Sequence, residues 1–288
     1  MIPPLHGLVL VEYFHRLVTL LATLFILYNA FRSWRKRRGD KVVASLALGS
    51  VFFLLTQIAF GAIIVVLVLP GAFTTVDVTN SLVLLSILAA LTAVGYRERH
   101  LGPVVEHLPS RSFGETELAQ IQSVRRPLFW SASLVFLEAI IGGYFRHSGE
   151  SQALYGQNSY LLSHHQHVMP SLVSSVAMLI VHIGVSILVA ACVVWLLVAA
   201  AKARKYIAGA VVMVLLTAYQ ALIGILSLQT ALGLYADTLH WAGAALMITV
   251  SAYLVTILLI DTRRYHKLLT GNGGSEHAAG GRTSHRFA

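Results

Sequence analysis

"VEYFHRLVTLLATLFILYNAFRSWRKRR", Val11 to Arg38, carries the pattern that decides the fold. An apolar run long enough to cross a bilayer as a helix closes on a block of five Arg and Lys residues, and its start carries Glu12, His15 and Arg16. The run has no period-2 alternation. In lipid every backbone polar group must be paired internally, so the segment is predicted to be a membrane-spanning helix rather than a barrel strand. Three ionisable groups at the mouth of such a helix are costly and mark a functional site.

The same pattern recurs along the chain. Of 288 residues, 57% are hydrophobic and 11% charged, where a soluble domain carries about 25% charged residues. Seven spans are predicted, at 8–31, 42–69, 76–96, 128–145, 171–201, 206–232 and 238–260. The formal net charge of +9 does not point to nucleic acid. Its Arg and Lys sit in short blocks between apolar runs: "RSWRKRR" after span one, "YRERH" and Arg125–Arg126 around the loop after span three, "KARK" after span five and "RRYHK" after span seven. All fall on one side, which is therefore predicted to be cytoplasmic, with the N-terminus outside and the C-terminus inside. The single cysteine, Cys192, lies in an apolar run and fits a small buried residue. The Gly-rich end, 263–288, is expected to be a disordered cytoplasmic tail.

The chain also repeats. His15 aligns with His182, and each begins an apolar run that ends in a basic block. "LTQIAFGAI" (Gln57) then aligns with "AYQALIGIL" (Gln220), and "DVTN" (Asp77 to Asn80) with "DTLH" (Asp237 to His240). Two parallel three-span units result, with span four leading the second. The expected architecture is all-α, with a first bundle of three helices (1–97), a cytoplasmic linker (98–127) and a second bundle of four (128–262).

Of thirteen histidines, His15, His182 and His240 lie within spans. Two histidines at similar depth on two helices of one unit suit the axial positions of a heme. His240 aligns with Asn80. Glu12 shares a helix face with His15, and Leu179 stands at its place in the second unit. Glu12 either orients the imidazole or takes part in proton chemistry. Arg16 pairs with Glu12 or with a heme propionate. Glu138, mid-span, is either a protonated, hydrogen-bonded acid or part of a proton path. His164, His165 and His167 in "SHHQH" either bind a metal, cap the pocket or are solvated.

The segments "IPPLHGLVLVEYFHRLV", "IIGGYFRHSG", "VHIGVSILVA" and "LHWAGAALM" together resemble the heme A synthase family in order and spacing over nearly the whole chain. The resemblance implies paired four-helix bundles in a plasma-membrane enzyme that oxidises the C8 methyl of heme O to the formyl group of heme A. It implies heme b ligation by His182 and His240, substrate-heme ligation by His15, a catalytic Glu12, and propionate contacts from Arg146 and His147. Expected partners are heme O, an electron donor, membrane lipid, heme O synthase or oxidase assembly factors, and a second copy of the chain. Three departures stand out. The family's leading helix and outer loop are missing, and "MIPPLHG" resembles the end of that loop, as an internal start or a truncation would leave it. Asn80 replaces the second substrate-heme histidine. Glu138 stands where a neutral polar residue is usual. A membrane cytochrome b and a heme-handling assembly protein remain as alternatives.

Overall fold

The computed structural model describes the backbone of residues 7–36, 40–100, 110–157 and 169–280, and the side chains of 13–35, 40–97, 110–157 and 169–270. Eight helices account for the regular structure there: α1 (Gly7–Lys36), α2 (Lys41–Val66), α3 (Ala72–His100), α4 (Arg111–His147), the short α5 (Glu150–Ala153), α6 (Leu172–Ala203), α7 (Ile207–Gln229) and α8 (Leu234–Gly280). All but α5 are long and apolar enough to cross a membrane, and they match the seven expected spans. No strand occurs among the described residues.

Helix starts follow local chemistry. Asp40 caps α2 by accepting from the backbone N–H groups of Val42 (2.9 Å) and Val43 (3.2 Å). Ser110 caps α4 and Ser171 caps α6 in the same way. The Ser110 cap accounts for one departure from expectation. The segment 98–127 is not a loop throughout, because α3 runs to His100 and α4 starts at Arg111. A second departure is at the far end, where α8 continues through 263–280, part of the expected disordered tail. Tertiary contact holds the start of this stretch: the Tyr265 hydroxyl donates to Glu117 of α4 (3.2 Å), and the Tyr265 ring packs on the main core.

α4, α6, α7 and α8 pack in a closed ring, each against two of the others. Among the described residues α1, α2 and α3 form an open row: α1 touches α2 and not α3, while α3 joins the ring through α4 and α8. Within the ring the interior is divided by depth. Toward the basic blocks it is solid, filled by Ile121, Val124, Leu128, Val193, Leu196, Met213 and Leu258. Toward the other end it opens into a cavity.

Paired charges tie the basic end together. Arg97 of α3 is hydrogen-bonded to Asp261 of α8, and the Tyr206 hydroxyl donates to the same carboxylate (2.8 Å). Lys205 donates to Glu117 (2.6 Å). These contacts hold the α6–α7 turn, in which Arg204 and Tyr206 adopt left-handed backbone (φ 54° and 58°) that only surrounding contacts sustain in a non-glycine residue.

α7 and α8 approach closely at Gly243. A methyl there would stand 2.6 Å from Cε1 of Tyr219 and 2.9 Å from Nε2 of Gln220. Gly243→Ala is therefore expected to destabilise the fold by about 1–3 kcal/mol, read as a lower unfolding midpoint of the detergent-solubilised protein. Gly95→Ala, which faces open space, should leave the midpoint unchanged or higher. Equal midpoints for the two variants would refute the close packing of α7 on α8.

Candidate functional site

Four helices line the cavity at helical spacing. α4 presents Val135, Glu138, Gly142 and Arg146; α6 presents Leu179, His182 and Ser186; α7 presents Thr217, Gln220 and Gly224; α8 presents Asp237, His240, Ala244 and Met247. Its volume is about 430 Å³. α6 and α8, which carry the two histidines, do not pack against each other, and the cavity lies between them.

His182 and His240 meet across this space with ring centroids 6.4 Å apart and planes at 78°. Each ring is seated on a glycine of a neighbouring helix. A Cβ on Gly142 would stand 3.0 Å from Cε1 of His182, and one on Gly224 would stand 3.2 Å from Cε1 of His240. Phe145 stacks on His182 (5.9 Å, 28°). Nδ1 of His182 lies 2.9 Å from Oε1 of Glu138, off the line of a hydrogen bond. The Ser186 hydroxyl, one helical turn beyond His182, donates to the same carboxylate oxygen. Nδ1 of His240 is buried and finds no hydrogen-bond partner, while Gln220 of α7 donates to the His240 carbonyl (2.9 Å). Among the described residues no group of three His, Cys, Asp or Glu side chains converges as a metal site.

At the mouth, Arg146 Nε donates to Asp237 (2.9 Å), joining α4 to α8. His147 does not line the cavity; its ring packs on Trp241 (5.7 Å). The chain after α4 forms a strap over this end. Buried Glu150 accepts from Ser175 (2.6 Å) and Ser174 (3.1 Å) of α6. Beyond it, Tyr155 donates to the Leu228 carbonyl (2.6 Å) and Gln157 to the Ala231 carbonyl (3.1 Å).

The first unit repeats the register but not the site. Asn80 is buried, and α2 engages its whole amide. Its Nδ2 donates to the Phe53 carbonyl (3.0 Å) and to Gln57 Oε1 (2.8 Å), and its Oδ1 accepts from Thr56 (2.8 Å). Gln57 in turn donates to Asp77 (2.7 Å). Gly61 is the counterpart of Gly224, yet a Cβ on it would meet nothing within 4 Å. His15 and Arg16 lie on an exposed stretch of α1. The side chain of Glu12, the "SHHQH" loop with His164, His165 and His167, and the segment 1–6 lie outside the described residues.

Of the sequence candidates the cavity brings together His182, His240 and Arg146, while the glycine seats and the polar partners around them were not foreseen. Gly142 and Gly224 were visible as glycines four residues beyond Glu138 and Gln220, one helical turn on. Asp237 as the partner of Arg146 had no sequence signal, since the two are 91 residues apart.

A family model described as COX15-CtaA, cytochrome oxidase assembly protein, matches residues 4–252, which covers all four cavity helices up to the middle of α8. No curated protein matches the chain. With seven membrane-length helices and a match over most of its length, this chain is a multi-pass membrane protein and belongs to the COX15-CtaA family of cytochrome oxidase assembly proteins.

Proposed function

We propose that the protein is a heme A synthase-like oxidoreductase, oxidising the C8 methyl of heme O to a formyl group and so supplying heme A to terminal oxidases. The family membership supports this reading. The observation that carries it is the pair of glycine-seated imidazoles across the cavity. Two imidazoles ligating one iron from opposite faces place their ring centres about 6 Å apart, close to the 6.4 Å between His182 and His240. The residues present thus fit a heme b, which would supply one-electron transfer. His182 and His240 would hold its iron. Arg146, always charged, would meet a propionate at the mouth, and apolar lining such as Leu179 and Met247 would exclude water.

Heme O would bind in the first unit, with His15 as iron ligand, Arg16 near a propionate and Glu12 as the catalytic carboxylate. The enzyme would sit in the plasma membrane with its N-terminus outside, and would draw electrons from a separate donor. A second reading, a membrane cytochrome b that only transfers electrons, is favoured by one observation. Asn80 is committed to α2 and offers no free donor atom for iron.

Three outcomes are expected. In the first, protein purified from cells that make heme O yields heme b together with heme O and heme A on extraction and chromatography. Heme b alone would favour the cytochrome, and no pigment would overturn both readings. His182→Ala and His240→Ala should each remove the low-spin b signal from reduced-minus-oxidised spectra, and an unchanged spectrum in both would sink the assignment. In the second, Glu12→Gln retains heme O or an oxidised intermediate but makes little heme A. Normal heme A yield would exclude a catalytic Glu12.

The third outcome concerns Asn80→His. By the repeat it sets an imidazole at the counterpart of His240, with Gly61, clear to 4 Å, at the counterpart of Gly224, so the low-spin fraction and heme retention of the first unit should rise. A wild-type protein that already carries two bis-histidine hemes would contradict the repeat alignment at Asn80.

A further inference from the structure

Two acidic side chains line the cavity, Glu138 and Asp237. Asp237 is paired with Arg146 at the mouth, and Glu138 is the one that stands at hydrogen-bond distance from an imidazole nitrogen. Neither buried Nδ1 completes a hydrogen bond, but Glu138 Oε1 stands 2.9 Å from Nδ1 of His182, whereas among the described residues no carboxylate stands within ion-pair distance of His240. Glu138 projects from α4 one helical turn before Gly142, the glycine on which the His182 ring rests. Ser186, one turn beyond His182 on α6, donates to the same Oε1 and holds the carboxyl group against α6. Oε2 is buried without a hydrogen-bond partner. An acidic side chain in an apolar, membrane-embedded cavity is expensive and needs a purpose or a partner.

We propose that Glu138 is a positioning residue that sets the reduction potential of the heme through His182. The inference rests on the heme b reading of this cavity. Glu138 accepts the Nδ1 proton of His182, which fixes the tautomer whose Nε2 lone pair is free for iron. The present contact is within hydrogen-bond distance but off its line, and the imidazole would have to turn toward Oε1 to complete it. A carboxylate behind the ring makes the imidazole a stronger donor and places negative charge near the iron. Both effects stabilise the ferric state over the ferrous, so the potential falls. Nδ1 of His240 has no carboxylate at hydrogen-bond distance among the described residues, so the effect would act through His182.

The test is redox titration of the purified holoprotein, wild type against Glu138→Ala, Glu138→Gln and Ser186→Ala, with heme content measured in parallel. Glu138→Ala removes the acceptor and the charge. It should raise the ferrous-to-ferric ratio at a fixed potential about tenfold, which for a one-electron couple is about 59 mV. Glu138→Gln keeps an acceptor oxygen, so it should restore heme content and fall between Ala and wild type in potential. Ser186→Ala removes the competing donor from Oε1 and should move the potential the opposite way, below wild type. The low-spin ferric signal in electron paramagnetic resonance should shift in the same order.

If Glu138→Ala loses its heme or does not accumulate, the Gln and Ser186 variants decide. Heme b present in all proteins with unchanged potentials would overturn the role of Glu138 and leave the heme site standing. No heme b in the wild type would overturn the heme site and this role with it.

Discussion

A methyl in place of the Gly142 hydrogen would stand 3.0 Å from the His182 ring, and one in place of the Gly224 hydrogen 3.2 Å from the His240 ring. The geometry of the cavity depends on those two missing side chains. Helices in lipid gain little from burying apolar surface against each other, so close approach must come from small residues at the contact. Here the room so created is filled by imidazoles, which leaves the two rings facing each other instead of facing lipid. Phe145 backs one ring, Gln220 holds the backbone of the other, and the solid core toward the basic end keeps the ring of helices from collapsing inward.

Pairing of polar atoms in a low-dielectric medium accounts for the difference between the two units. Position 80 and position 240 share a register. At 240 an imidazole turns inward onto a glycine. At 80 a shorter amide, with two donors and an acceptor, satisfies itself on Thr56, Gln57 and the Phe53 carbonyl. Those bonds tie α2 to α3 and leave Gly61 facing open space. One side-chain difference turns a ligand position into a clamp between helices, because in lipid an unpaired amide is costlier than a well-paired one.

The charges at the basic end follow the same rule. Asp261 gathers Arg97 and Tyr206, and Glu117 gathers Lys205 and Tyr265, so each acid bridges different elements. The effect is mechanical: α3, α4, the α6–α7 turn and α8 are pinned at one end, and the cavity opens at the other. The strap after α4 then covers that opening, held by Glu150 on α6 and by Tyr155 and Gln157 on the α7–α8 turn.

Much of this was legible along the chain. Apolar run length settles which segments are spans, because a bilayer of fixed thickness accepts no shorter helix. Internal repetition places His182 and His240 at matched registers of one unit, but that they face each other from helices that do not pack together is set by the ring of α4, α6, α7 and α8. Element ends were less legible. α4 begins at Arg111 because Ser110 caps it, and α8 runs past 262 where Tyr265 docks on Glu117 and the core, and docking is not a local property. The partners of buried polar groups were not legible at all. Glu138 and His182 are 44 residues apart, Arg146 and Asp237 are 91, and no periodicity relates them. Which polar atom meets which is decided by how far each helix is rotated and shifted when it packs, and only the tertiary structure sets that.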